Sequence, residues 1–208
     1  MDHLKAVSLC VESYNFSDNI WSAFETDALV LEDTTGTWIC FRGTESTPKP
    51  TKKGWSNFFD VLKDIRIFPY KTILGWWAHK GFAKGAEAWV NKFINRINKY
   101  KPVYITGHSL GAAIAIQSIP LLKAKGVSVS EVVVFAEPAS WYKGDDYLYR
   151  SLGIPTTSYL NSNDFIRAVV PWAKTGVYRT YLNPKGWLSL KAHSAKAYQH
   201  ALTESVLQ

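Results

Sequence analysis

The pentapeptide Gly107-His108-Ser109-Leu110-Gly111 constrains this 208-residue chain more than any other stretch. It stands inside VYITGHSLGAAIA (103–115), which opens on β-branched residues and closes on an alanine-rich run. A strand that turns into a helix so abruptly puts the residue at the bend into a strained backbone conformation. Side chains two positions to either side would collide, and glycine stands at both. The pattern predicts a sharp turn that lifts the Ser109 hydroxyl out of the sheet edge. It also places that hydroxyl at a helix N-terminus, whose free N–H groups and dipole favour negative charge. Ala112, Ala113 and Ala115 let the helix approach the sheet closely. The competing reading of the five residues is a glycine-rich turn carrying a solvated serine.

Periodicity around the bend supports the first reading. Leu4, Val7, Val11 and Tyr14 recur at helical spacing and predict a helix over 3–14. DALVLED (27–33) and TWICFRG (37–43), parted by TTG, read as a hairpin. ESTPKPTKKG (45–54) reads as a loop and WSNFFDVLKDI (55–65) as a short helix. A long amphipathic helix is expected over 81–100, then a strand at 102–106 and a helix at 110–124. EVVVFA (131–136) is almost continuously apolar, which suits a parallel strand buried on both faces. TTSYLNS (156–162) is another strand, and the C-terminal segment is helical from near His193. Strands alternating with helices after residue 80 give an α/β fold: a mostly parallel central sheet flanked by helices. No linker or repeat stands out, so one domain over 1–208 is the expectation.

The totals narrow the partners. A net charge of +7 and a pI near 9.3 favour phosphate, an anionic membrane surface or nucleic acid, or serve solubility alone. No nucleic-acid-binding motif accompanies the charge, which disfavours that partner. The first fifteen residues lack a signal's apolar core, and no uncharged apolar stretch is long enough to span a bilayer. A cytoplasmic chain, with peripheral contact at membranes left open, is expected. Cys10 and Cys40 have no CxxC spacing and read as buried, reduced thiols, a disulfide between them being the lesser alternative.

A serine nucleophile needs a base, and the base an orienting acid. Of the five histidines, His3 lies on the first helix, His79 precedes a helix, and His108 should point away from the active face. In the chain order Ser, acid, His, the base follows the acid, which leaves His193 and His200. His193, at a loop-to-helix junction, is favoured, and His200 falls two turns further on. For the acid, Asp164 just past a strand competes with Glu137, also just past a strand, and its place in the chain order favours Asp164; Asp145 and Asp146 in KGDDY read as solvated.

Six segments in order resemble the motifs of the class 3 lipases, the fungal-lipase-like α/β-hydrolases. CFRGTES is similar to the oxyanion loop, AHKGFAKGAEAW to the VHxGF helix start and ITGHSLGAAIA to the elbow. VVVFAEPAS is similar to the strand ending in TFGxPR, NSNDFIRAVVP to the acid segment NxxDxVPxLP, and HSAKAY to the terminal HxxxY. The resemblance implies an α/β-hydrolase fold, with Ser109 as nucleophile, Asp164 as acid and His193 as base. It implies oxyanion N–H groups from Thr44 and Leu110, and neither metal nor cofactor. The length and the missing signal and disulfide framework resemble small bacterial or phage-encoded members. Two departures stand out: Glu137 occupies a position that is usually uncharged, and TPKPTKKG interrupts the segment that forms a lid in lipases.

The expected substrate is a carboxylic ester of a lipid, in the manner of a lipase or phospholipase A. A soluble short-chain esterase and a non-catalytic lipase-fold interaction module with a basic surface are the alternatives. Lys49, Lys52 and Lys53 immediately precede Trp55, Phe58 and Phe59. Lysines suit anionic head groups and aromatic rings the polar–apolar boundary, so 49–59 reads as a membrane-docking flap. The same residues equally suit a solvated loop followed by an ordinary core helix.

Overall fold

A computed structural model describes residues 1–15, 18–24, 26–43, 68–168, 173–182 and 190–207. The loop expected at 45–54 and the helix expected at 55–65 lie outside the described residues.

The chain begins with helix α1 (His3–Glu12), capped by the Asp2 carboxylate, which accepts from the Leu4 and Lys5 N–H groups. Strands β1 (Ile20–Ala23), β2 (Thr26–Glu32) and β3 (Thr37–Phe41) follow as an antiparallel meander, the last two being the expected hairpin. A two-stranded ribbon, β4 (Pro69–Lys71) and β5 (Trp77–His79), leads into helix α2 (Lys80–Phe93). Then come β6 (Val103–His108), α3 (Leu110–Ala124), β7 (Val129–Phe135), α4 (Asp146–Ser151), β8 (Thr156–Asn161), β9 (Arg179–Leu182) and α5 (Ala195–Val206).

The main sheet runs β1-β2-β3-β6-β7-β8-β9, and every pairing from β3 onward is parallel. Alternation along its strands feeds two cores. Ile39 and Phe41 of β3 and Val132 and Val134 of β7 pack with α2 and α3, among them Trp89, Ile116 and Ile119. Trp38 and Cys40, and Val133 and Phe135, pack on the other face with α1 and α5. The unbroken apolar run of β7 therefore reflects helices on both sides, as a parallel sheet requires. Among the described residues, no helix is long and apolar enough to cross a membrane.

Several expectations change. Helix α2 ends at Phe93, not near residue 100, and the chain tightens into a 3₁₀ turn at Ile94–Arg96. Ile94 and Ile97 are still buried, so the apolar period outruns the helix. Strands β1, β4, β5 and β9 have no more than four residues each and carry too little alternation to read. KGDDY is not simply solvated: the Asp145 carboxylate accepts from the Trp77 N–H, and Asp146 opens α4 and pairs with Arg150 at 2.9 Å. Cys10 and Cys40 are buried free thiols whose sulfurs lie 3.8 Å apart.

Candidate active site

Ser109 sits where β6 stops and α3 begins, with φ +57° and ψ −124°. That left-handed region is costly for a residue with a side chain, and such strain persists only where the surroundings enforce it. Both flanking glycines are part of the enforcement. A Cβ on Gly107 would lie 2.5 Å from the Gly111 carbonyl oxygen, and one on Gly111 would lie 2.1 Å from that of Phe41. The elbow thus packs helix backbone against the ends of β6 and β3 at distances no side chain tolerates. The Ser109 N–H donates to the Phe135 carbonyl at 3.0 Å, which ties the bend to β7.

The bend carries Ser109 Oγ to within 2.8 Å of His193 Nε2. His193 closes a 3₁₀ turn just before α5, whose cap, Ser194, accepts from the Ala197 N–H. Its Nδ1–H donates to Asp164, with Oδ2 at 2.9 Å and Oδ1 at 3.0 Å. With Nδ1 the donor, Nε2 is the acceptor for the serine hydroxyl. Asp164 follows β8 and is fully buried. Burial pushes its carboxyl up, but bonds from His193, the Ile166 N–H and the Tyr198 hydroxyl outweigh this and hold it below the usual carboxylate value. The Tyr198 hydroxyl, 2.7 Å from Oδ2, itself accepts from the Asn161 N–H at 3.1 Å.

The structure therefore brings together Ser109, His193 and Asp164, which lie 84 and 29 residues apart along the chain. Their competitors are elsewhere. The His200 side chain is 76% exposed and pairs with Glu204 one turn on. Glu137 is fully buried but faces β8, where Ser158 Oγ donates to Oε2 at 3.2 Å. Burial raises its carboxyl to about 7, against the pull of the Arg179 guanidinium. His79 is buried and stacked on Phe82.

Leu110 is the first residue of α3, so its N–H belongs to the set with no intrahelical acceptor. Thr44, Lys49, Lys52, Lys53, Trp55, Phe58 and Phe59 lie outside the described residues. Gly43, next to Thr44 in sequence, is described: a Cβ there would sit 3.5 Å from Ser109 Cβ and 2.6 Å from the His108 carbonyl oxygen. The chain leaving β3 thus passes directly beside the elbow.

Two residues gain partners that the sequence reading did not foresee. His108 is buried: Nε2 donates to the His193 carbonyl at 2.6 Å, and Nδ1 accepts from the Tyr14 hydroxyl at 2.9 Å. Tyr198, read only as part of HSAKAY, holds the carboxylate of Asp164. The signals were present, a histidine preceding the serine and a tyrosine closing the last motif, but neither spacing names the acceptor.

Among the described residues no group of His, Cys, Asp and Glu is arranged to hold a metal ion. The three central side chains form one line of hydrogen bonds: a serine hydroxyl on an imidazole, and that imidazole on a buried carboxylate that fixes its tautomer.

The sequence profile described as "Lipase (class 3)" matches residues 38–173. Among solved structures, the chain is similar to the Rhizomucor miehei triacylglyceride lipase, with a TM-score of 0.65 and 19% identity, over 80% of this chain and 66% of that one. It is similar to a triacylglycerol lipase described as having a serine protease triad as its catalytic centre, with a TM-score of 0.69 and 19% identity, over 87% and 79% of the two chains. A mutant form of MDLA from Penicillium cyclopium aligns with a TM-score of 0.69 and 16% identity, over 89% and 80%. No curated protein matches the sequence.

Proposed function

This chain belongs to the class 3 lipase family, and we propose that it is a serine hydrolase that cleaves carboxylic esters of lipids through an acyl-enzyme on Ser109. The observation that carries the reading is the continuous hydrogen-bond chain Asp164–His193–Ser109, ending on a hydroxyl held in a strained bend.

In the first half-reaction the Ser109 oxygen attacks the acyl carbonyl carbon while His193 Nε2 takes the serine proton. Asp164 stays ionised and stabilises the imidazolium it faces. The carbonyl oxygen becomes an oxyanion. Its proposed donors are the N–H of Leu110, at the positive end of α3, and the N–H of Thr44, in the chain that leaves Gly43 beside the elbow. Collapse breaks the bond to the leaving alcohol, whose oxygen takes the proton back from His193. Water then enters, gives its proton to His193 and attacks the acyl carbon. The carboxylic acid leaves as Ser109 recovers its proton.

A lipid ester is the proposed substrate because of the family. The basic and aromatic residues at 49–59 are the proposed surface for an anionic lipid layer. The test is hydrolysis of a panel of acyl esters and phospholipids of graded chain length, with the Ser109→Ala protein as blank. A fluorophosphonate should add to Ser109 and nowhere else, and the alanine variant should lose four to six orders of magnitude in turnover, roughly the scale for a triad serine. Unchanged hydrolysis by Ser109→Ala would end the proposal.

A further inference from the structure

We propose that Tyr14 and His108 are positioning residues for His193: a hydrogen-bond chain that runs from the half-buried Tyr14, at the end of α1, through the buried His108 grips the main-chain carbonyl of the base and holds its imidazole in line with Ser109. The inference rests on the reading of Ser109 as nucleophile and His193 as base.

The chain has two links, Tyr14 Oη to His108 Nδ1 at 2.9 Å and His108 Nε2 to the His193 carbonyl at 2.6 Å. The direction of each is fixed by chemistry. A carbonyl only accepts, so the proton of the His108 ring is on Nε2. Nδ1 is then an acceptor, and the Tyr14 hydroxyl is the donor that matches it. His108 is buried, and burial lowers its pKa to about 3, so the ring stays neutral and carries a single N–H. Tyr14 thus selects the tautomer of His108 as Asp164 selects that of His193.

Both ends of the chain are anchored. Cys10 and Val7 of α1 are fully buried against the sheet, and Arg42 Nη2 donates to the Tyr14 carbonyl at 3.4 Å. The Tyr14 hydroxyl packs against bare backbone: a Cβ on Gly43 would lie 2.4 Å from it. At the other end, the residue before His193 is held the same way, Asn161 Nδ2 donating to the Ala192 carbonyl at 2.8 Å. Two successive carbonyls at the junction of a 3₁₀ turn and α5 are therefore held by side chains. The imidazole of His193 is fixed at its far end by Asp164 and at its root by His108. Without the Tyr14 hydroxyl, the His108 proton is free to move to Nδ1. The Nε2 lone pair would then face the lone pairs of the His193 carbonyl and push the base off its line to Ser109.

The experiment compares Tyr14→Phe, His108→Asn and His108→Gln with the wild type, with kcat expressed per active site titrated by a fluorophosphonate. The Gln amide nitrogen reaches the place of Nε2, whereas the Asn amide reaches only that of Nδ1. A base displaced by a fraction of an ångström should lower kcat per site by about 10- to 100-fold in His108→Asn, and about tenfold in Tyr14→Phe. KM should stay within about twofold, and His108→Gln should recover most of the turnover. A purely structural role would lower the number of titratable sites and leave kcat per site unchanged, and that result overturns the proposal. So does a Gln variant no better than Asn. The low-field proton resonance of His193 Nδ1–H is the second readout and needs no turnover: it should shift and broaden in His108→Asn. A wild type inert to every ester and phosphonate would sink the hydrolase reading. In that case an unshifted resonance in His108→Asn would overturn the positioning role as well.

Discussion

Replacing Glu137 by Gln should make the protein more stable, and the gain should grow with pH. The carboxyl is fully buried, its Oε2 accepts from Ser158, and its Oε1 has no hydrogen-bond partner among the described residues. Burial lifts it from an ordinary value of 4.5 to about 7, in spite of the opposing pull of Arg179. The folded state therefore binds the proton more tightly than the unfolded chain. Stability from this group is fully present below the unfolded value, near 4.5, and is lost as pH rises through about 7. At about 1.36 kcal/mol per unit, a shift from 4.5 to about 7 amounts to about 3 kcal/mol between pH 4 and pH 8. Glutamine has the size of the neutral acid and does not titrate. Urea unfolding of both proteins at one-unit steps from pH 4 to pH 9 isolates the term, because other groups cancel in the difference. The two stabilities should nearly coincide at pH 4, then diverge by up to about 1.4 kcal/mol per unit and level off above pH 8 at about 3 kcal/mol. A difference that does not change with pH, or a wild type that gains on the variant as pH rises, would refute the reasoning.

Asp164→Asn should cut kcat by about 10⁴, since an amide no longer fixes the Nδ1–H tautomer of His193, while Glu137→Gln should cost far less at pH 7; steady-state kinetics on one soluble ester decide, and reversed effects would exchange the two roles. Thr44→Val should lower kcat by about 10²–10³ if the hydroxyl donates to the oxyanion, and a kcat equal to wild type would confine Thr44 to its N–H. Replacing Lys49, Lys52 and Lys53 by serine should weaken binding to anionic vesicles, each lysine counting for about 1 kcal/mol, and spare hydrolysis of a short soluble ester. Wild-type binding that is equal on anionic and zwitterionic vesicles, or insensitive to salt, would leave the segment no docking role.

The elbow was legible because its constraint is local. Three backbone facts, a strand end, a positive φ at Ser109 and close approach at two glycines, fall within five residues, and each has a residue-type signature. The sheet was legible where strands are long and buried on both faces, as in β6 and β7. It was not legible in β1 and β9, whose four residues cannot display a period. The acid and base were narrowed by chain order, but choosing Asp164 over Glu137 depends on which way a carboxylate turns after its strand. At Glu137 the side chain folds back toward Ser158 of β8, following a left-handed Ala136. No neighbour in the sequence announces that turn.

His108 marks the limit more sharply. From the sequence it is one residue along a strand from Ser109, and alternation sends neighbouring side chains to opposite sides. That inference is right, since its ring lies with Tyr14 and Tyr198 on the α1 and α5 side of the sheet. The ring is nonetheless joined to the site, through the His193 carbonyl that its Nε2 meets. Helix α5 begins on that same side, and the main chain of His193 passes over it before its imidazole returns to Ser109. His193 therefore belongs to both sides of the sheet edge: its ring to one, its carbonyl to the other. On the proposed reading, a side chain that faces away from Ser109 still governs where the proton of Ser109 goes. Motif spacing is blind to such a residue, because its partner is a backbone atom 85 positions away, and every residue supplies a backbone carbonyl.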